Sequence, residues 1–465
     1  MSLRLYDSLT RTVGPVAALP GAPLGIYSCG PTVYDRIHVG NARPFVVAMT
    51  LRRHLERSGL PAKVVINITD VNDKIYVAAT ARGMASTDLA REMAAAYIAD
   101  TSRLGLGRPD VEPCVTETMP EIIDLIARLV AAGHAYAAAG DVYFRVGSFD
   151  TYGGLSGQRP EELVDEARRI EPAEGKESPL DFTLWKGRKA DEDAWWSSPW
   201  GDGRPGWHIE CSAMAMKHLG ETVDVHGGGL DLIFPHHENE RAQSEGATGC
   251  AFARTWLHNG MLRFGGDKMS KSIGNVSRLA DALDGWGAEA LLMLFAQAHY
   301  RSPLEFSDAT LTQATAACER LRDGLRALAR AAGDGAADRE TENNAAAAIG
   351  AFDASMDNDI GTPDAVGALF GLISACNRAI AGGTLSAQAA GRLRAPLVAR
   401  LEVLGLGGLA DGTAPAPAAL LALARERAAA RAAKDYARAD ALRDQIASAG
   451  FSTRDTPDGP ELIPL

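Results

Sequence analysis

The chain has 465 residues, 46% of them apolar, with 59 acidic side chains against 47 lysines and arginines and a formal charge of -12. That length exceeds what one hydrophobic core serves, so roughly two to four domains are expected. The acidic balance leans against a nucleic-acid partner, because phosphate contacts need Lys and Arg, although a local basic surface can coexist with net negative charge.

The opening, Met1 to Asp7, lacks the apolar core of a signal peptide. No apolar run of about eighteen residues follows, so no membrane span and a cytoplasmic location are expected. The six cysteines, at 29, 114, 211, 250, 318 and 376, are too scattered for a small disulfide framework. In chain order, residues 24–30 (Leu-Gly-Ile-Tyr-Ser-Cys-Gly) read as a short buried strand ending at glycine. Helical spacing of apolar residues runs from Arg43 to Ser58, and Gly59 stops it. Lys63 to Ile68 is a second strand. Strand, helix and strand with short loops form a parallel βαβ unit, whose ligands gather at the carboxyl ends of the strands.

Helices are predicted over 88–104 and 120–132, the latter opened by Pro120 with Glu121 in its first turn. From about 134 to 205 the texture changes to short strands (Asp141 to Val146), turns, a charged stretch and a Trp-rich segment, which reads as an insertion. The α/β pattern returns over Trp207 to Leu219, then a strand from Thr222 to His226 followed by Gly227 to Gly229, and Pro235 reopens a helix. After Pro303 the chain reads as helical and Ala-rich, with a polar interruption at 331–345. A Pro-Ala linker (Thr413 to Pro417) precedes a last module, 418–465, of two helices around Lys434 and a Gly-rich β-like tail.

Two segments suggest nucleotide chemistry. His38-Val-Gly-Asn41 sits just before a helix start, where unpaired amides and the positive dipole end suit phosphate. Gly40 leaves room for a base, and His38 and Asn41 can donate to phosphoryl oxygens. Lys268-Met-Ser-Lys-Ser272 places two lysines three apart in a Gly-flanked loop, able to neutralise a departing pyrophosphate. No P-loop pattern occurs. Separately, Cys29 offers a soft metal donor. His236 and Glu240, four apart, share a helical face, but His237 and Glu240, three apart, fit as well, so periodicity leaves the histidine open.

Lys268 to Ser272 together with His38 to Asn41 resembles the paired signatures of class I aminoacyl-tRNA synthetases. Tyr27 to Tyr34, Asn67 to Asp70, Gly206 to Ser212, His226 to Asp231, Phe234 to Glu240 and Arg431 to Asp440 narrow the resemblance to the cysteinyl-tRNA synthetase family. The first signature ends in Asn41 where the class pattern has histidine; Asn keeps a donor of similar reach.

The resemblance implies an α/β Rossmann-like catalytic domain (1–112 and 206–260) with a connective insertion (113–205). A stem-contact region with the lysine loop (261–306), a helical bundle (307–405) and an anticodon-binding module (418–465) would follow. It implies zinc held by Cys29, Cys211, His236 and Glu240. Two thiolates and a carboxylate outweigh Zn²⁺ by one charge, so such a site is a poor activator of water and suits a substrate thiolate instead. Thr69 is expected to face the substrate amine, Trp207 to wall the small side chain, and Asp231 to meet the ribose. The catalytic set implied is His38, Asn41, Lys268 and Lys271, with Gly40, Asp231 and Lys271 on ATP. Partners implied are L-cysteine, Mg²⁺-bound ATP and tRNA(Cys), and a monomer is expected. The final residues, Asp458 to Leu465, depart from the family's usual close. Two rivals share part of this pattern: a cysteine ligase of the mycothiol pathway, which needs no anticodon module, and a non-catalytic tRNA-binding paralogue.

Overall fold

A computed structural model describes residues 3–16, 22–159, 175–264, 267–268, 277–331, 339–411, 418–456 and 459–464. It divides into two units. The first comprises Met1–Ala316, Ala351–Gly367 and Val403–Leu406; the second comprises Ala317–Gly350, Ala368–Glu402 and Gly407–Leu465.

Four parallel strands organise the first unit, in the order Trp256–Asn259, Val225–Gly229, Leu24–Ser28, Ala62–Ile66. Leu24–Ser28 is buried at every position, as a strand covered on both faces must be. Helix Val39–Arg57 carries the chain across to Ala62–Ile66. It begins four residues before the predicted Arg43: Val39 and Ala42 are already buried in its first turn, but Gly40 and Asn41 between them interrupt the apolar spacing. At the far end Gly59 has φ +76, which only glycine adopts without cost.

The glycine triplet departs from expectation. It does not follow the strand but lies inside it, since Val225–Gly229 is the paired segment. Packing explains this: a Cβ on Gly228 would fall 2.9 Å from both His237 and Leu232, and one on Gly227 would fall 3.2 Å from the Leu257 carbonyl. Pro235 likewise sits in a distorted turn, and the regular helix is Glu238–Thr248.

The insertion contains an antiparallel sheet of Ala135–Ala138, Asp141–Phe144, Phe182–Gly187 and Gly203–Pro205. It shares one hydrophobic core with the parallel sheet: Ile122, Phe144 and Trp185 join Tyr27, Val65, Met214 and Trp256.

Beyond residue 307 the described elements are helices Asp308–Arg330, Arg339–Asp357, Thr362–Ala381 and Ala387–Val403. Helix Arg339–Asp357 starts inside the predicted polar interruption; Glu340 and Glu342 in its first turn complement the helix dipole. Thr362–Ala381 is long and apolar enough by composition to cross a membrane, with hydropathy 1.2, yet 44% of that stretch is buried inside the protein. Its buried Leu369, Leu372, Ile373 and Cys376 recur at the spacing of a core-facing stripe.

The last module pairs helices Ala418–Ala432 and Tyr436–Ser448 around Lys434, whose φ of 61 turns the chain. Strands Phe451–Thr456 and Gly459–Pro464 then form a hairpin. Its core is small, with Ala424, Ile446 and Leu462 clustered and Ala439 and Leu442 buried beside them. Asp455 on the hairpin binds Arg427 at 3.0 Å and also Arg431, and Arg443 pairs with Asp440 at 3.0 Å.

Candidate active site and metal centre

Leu24–Ser28 pairs with Ala62–Ile66 on one side and Val225–Gly229 on the other, so the winding of the sheet reverses between Leu24–Ser28 and Val225–Gly229. At such a switch point the connections leaving the strand ends diverge and open a crevice. Here that crevice is a cleft of about 370 Å³, lined by Cys29, His38, Gly40, Asn41, Thr69, Trp207, Cys211, Asp231 and His236. Glu240 lies beneath it, fully buried.

Four elements deliver the metal-type donors. Cys29 follows directly on the strand Leu24–Ser28, and Cys211 comes from helix Trp207–Leu219. His236 comes from the distorted turn, and Glu240 from the first turn of Glu238–Thr248. Their ligand atoms lie within 4.8 Å of one another and all are buried. Cys29 Sγ is 3.5 Å from His236 Nε2 and 3.4 Å from Glu240 Oε1, and the last two atoms are 2.9 Å apart. A tetrahedral zinc with ordinary Zn–S and Zn–N lengths has ligand–ligand edges of about 3.3–3.8 Å, so the donors need only a slight expansion. Two sulfurs, an imidazole and a carboxylate are the donor chemistry of that ion, and the residues present fit it.

The protonation pattern suits such a role. Burial, then Cys211 and Glu240, push the Cys29 thiol well up. Burial also pushes Cys211 up, but the hydrogen bond from Cys29 and the nearby His236 outweigh it and bring the thiol to about 6. Burial pulls His236 down, yet Glu240 and Cys211 carry it to about 10. Glu240 is held well below the usual carboxylate range by His226 and His236, despite burial.

Two further histidines stand at this cluster: His237, which helical spacing left open as a donor, and His226, to which the sequence reading assigned no role. His226 Nε2 lies 3.2 Å from Glu240 Oε2 and 3.7 Å from Cys29 Sγ. His237 Nε2 is 3.9 Å from Glu240 Oε1, and its Nδ1 meets His258 Nε2 at 2.7 Å, while His258 Nδ1 reaches Ser8 Oγ at 2.7 Å. Cys29, His226, His237 and Glu240 therefore make a second, overlapping donor group. A histidine in a fully buried strand, as His226 is, was the available signal.

Asn67 ties the thiol side to the second strand. Its Oδ1 accepts from the Gly30 amide at 2.9 Å and its Nδ2 donates to Thr69 Oγ1 at 3.1 Å. The approach is so close that a Cβ on Gly30 would sit 1.7 Å from the Asn67 carbonyl oxygen. Trp207 is no core aromatic: it is 38% exposed and stacks on His236 with ring centroids 4.4 Å apart.

At the nucleotide end, His38 is the N-cap of helix Val39–Arg57, and its amide approaches Asn41 Oδ1 at 3.4 Å. A Cβ on Gly40 would lie 2.8 Å from His38 Nδ1. Pro44, in the same helix, has no amide hydrogen to give the Gly40 carbonyl. Asp231 is exposed on the turn after the glycine strand. The backbone of Lys268 pairs with Arg263 in a short hairpin. Lys271 lies outside the described residues.

The sequence from 16 to 316 matches the family model of the class I (C) tRNA synthetase catalytic domain, 351–409 matches a DALR domain, and 413–460 matches the anticodon-binding domain of cysteinyl-tRNA ligase. The chain belongs to the cysteinyl-tRNA synthetase family. It is 43% identical over 477 residues to the cysteine–tRNA ligase of Geobacter sulfurreducens, covering 99% of each chain. The enzyme of the same name from Xanthomonas euvesicatoria is 44% identical over 99% of this chain and 98% of its own. Among solved structures, methionyl-tRNA synthetase of Mycobacterium tuberculosis with methionyl-adenylate aligns at TM-score 0.61 and 15% identity, covering 84% of this chain and 91% of that one. A LeuRS of Agrobacterium radiobacter, solved with tRNA, aligns at 0.62 and 12%, over 85% and 86%. At such identities these two establish the class I fold alone.

Proposed function

We propose that the chain attaches L-cysteine to tRNA(Cys) at the expense of ATP, through a cysteinyl-adenylate. The observation that carries this reading is a single cleft joining a buried, sulfur-rich donor cluster to a helix N-terminus. Cys29, Cys211, His236 and Glu240 would hold zinc. When bound there, the ion would supply a thiophilic Lewis acid that keeps a substrate sulfur as thiolate. Cysteine and serine differ by one atom, and pocket shape alone separates near-isosteres only about 10²-fold.

The chain's own groups then position the reactants. Thr69 faces the amine, and Trp207 closes the space for a larger side chain. His38, Gly40 and Asn41 receive ATP, which enters as its Mg²⁺ complex, and Asp231 accepts from the ribose. A cysteine carboxylate oxygen attacks the α-phosphorus as its bond to the bridging oxygen breaks. Pyrophosphate leaves with charge compensated by His38, Lys268 and Lys271. The terminal ribose 2′-hydroxyl of tRNA next attacks the adenylate carbonyl, losing its proton as AMP departs.

Residues 418–465 are read as the anticodon-reading part, with exposed Lys434 and Tyr436 at the turn between their helices. The same reading has the protein acting as a cytoplasmic monomer. Charging of tRNA with labelled cysteine, run beside the amino-sugar acceptor of a mycothiol-pathway ligase, tests it. Transfer to tRNA alone supports the proposal; transfer to the sugar alone, or no transfer, overturns it.

A further inference from the structure

Away from the metal-type cluster, the first unit carries a second dense polar hub, centred on buried Asp359. Its Oδ1 accepts from the Tyr6 amide at 2.8 Å and the Tyr300 hydroxyl at 2.7 Å. Its Oδ2 accepts from Arg301 Nε at 2.8 Å and Nη2 at 2.7 Å, with His299 Nε2 at 3.6 Å. The Asp359 amide donates to the Arg4 carbonyl at 2.8 Å. The backbone is forced to deliver this carboxylate: Asp359 has φ 61 and Ile360 has φ 51. A β-branched residue in the left-handed region is a genuine outlier. Strain of this kind persists only where surrounding contacts over-determine it, and it clusters near functional sites.

The segment that Asp359 grips, 299–302, backs one wall of the cleft. Tyr300 O accepts from the Gly260 amide at 2.8 Å. The guanidinium of buried Arg43 bridges the same two strips of backbone, donating to Gly260 O at 2.6 Å and His299 O at 3.1 Å. Contact is tight enough that a Cβ on Gly260 would meet Ser302 O at 2.3 Å. Asn259, Gly260, Met261 and Leu262 face the cleft on the other side, and Arg43 stands in the helix that His38 caps.

We propose that Asp359 is a positioning residue for the nucleotide side of the cleft, holding the Asn259–Leu262 wall in place through Tyr300 and Arg301. This rests on the reading that the cleft binds ATP. Asp359 comes from the connection between helices Arg339–Asp357 and Thr362–Ala381, so a segment far along the chain frames the nucleotide pocket. Asp359 acts through backbone that lines the cleft, not by touching substrate itself.

The test is ATP–pyrophosphate exchange by full-length Asp359→Asn and Tyr300→Phe, with ATP and cysteine varied separately. Asp359→Asn is expected to raise KM for ATP about tenfold while KM for cysteine stays within about twofold of wild type. Asp359→Ala, which keeps neither oxygen, should be worse than Asp359→Asn. A KM for ATP within twofold of wild type in folded Asp359→Asn overturns the proposal, as does an equal rise in both KM values, the mark of a merely structural role. If Asp359→Asn does not fold, Tyr300→Phe, which removes one hydroxyl, is judged by the same split. Equilibrium dialysis of ATP with the wild-type chain separates the two levels: no binding there refutes the reading of the cleft, and this proposal with it.

Discussion

Zinc uptake by this site should be steeply pH-dependent, and the structure sets the steepness. Between about pH 7 and 9 the metal-free cluster keeps a proton on Cys29, whose thiol is pushed well up, and one on His236, raised to about 10. Cys211, near 6, and Glu240, held well below its usual range, are already ionised. Zinc needs both sulfurs as thiolates and the imidazole neutral, so binding must expel two protons. Apparent affinity should therefore rise about 100-fold from pH 7 to pH 8, or about 2.7 kcal/mol, twice the value of one proton per pH unit. Competition against a calibrated chelator across that range reads the slope, and calorimetry in two buffers of different protonation enthalpy counts the protons. Release of one proton or fewer would refute the reasoning. It would instead favour the overlapping group with His237, which burial keeps well below its ordinary value and hence neutral. Without metal the two shifts oppose each other in folding, since Cys211, lowered to about 6, contributes stability that grows as pH rises above that value while His236 loses its own. The raised His236 contributes stability that is fully present below pH 6.5 and is lost as pH rises through about 10. The gap in Tm between zinc-bound and zinc-free protein should accordingly widen from pH 6.5 to pH 9.

Lys271→Ala should slow adenylate formation about 10²–10³-fold, the effect of deleting one preorganised charge donor, with cysteine binding unchanged; single-turnover kinetics separates the two. Trp207→Ala removes the ring stacked on His236 and should raise KM for cysteine about tenfold while leaving KM for ATP unaltered in pyrophosphate exchange. Gly30→Ala drives a methyl into the Asn67 carbonyl and should cost at least about 3 kcal/mol, seen as a lowered denaturation midpoint. Tyr436, 63% exposed beside Lys434, offers a stacking face for an RNA base. Its change to Ala should weaken tRNA binding by about 1–3 kcal/mol and spare pyrophosphate exchange, which filter binding and exchange assays would show together.

Local features of the site were legible because they are written in adjacent residues. The strand that carries Cys29 and ends at Gly30, the placing of His38 to Asn41 at a helix start and the four-residue step from His236 to Glu240 all follow from short-range pattern. The assembly itself was not, since Cys29 and Glu240 stand 211 residues apart and no periodicity links them. The choice of His236 came from family resemblance. In the structure His236 is the nearer to Glu240, at 2.9 Å against 3.9 Å for His237. Glycines misled where they usually signal a turn: Gly227 to Gly229 are strand residues, and the missing side chain of Gly228 admits His237 and Leu232. Asp359 escaped notice for a related reason. In sequence it belongs to an unremarked polar stretch, and only the fold brings Tyr6, Tyr300 and Arg301 to it.

The small core of the last module has a consequence for how the protein comes apart. With Ala424, Ile446 and Leu462 as its buried apolar centre, that hairpin and helix pair bury far less than the shared core of the parallel sheet and insertion. Opening free energy follows such burial, so this module is expected to open before that shared core. Brief digestion under native conditions should cut there first and leave the cleft intact. A bound tRNA, by engaging only the folded form, should slow that cleavage in proportion to its saturation. The segment read as the anticodon recogniser would then double as a gauge of RNA occupancy, reporting through its protease half-life whether the chain is loaded.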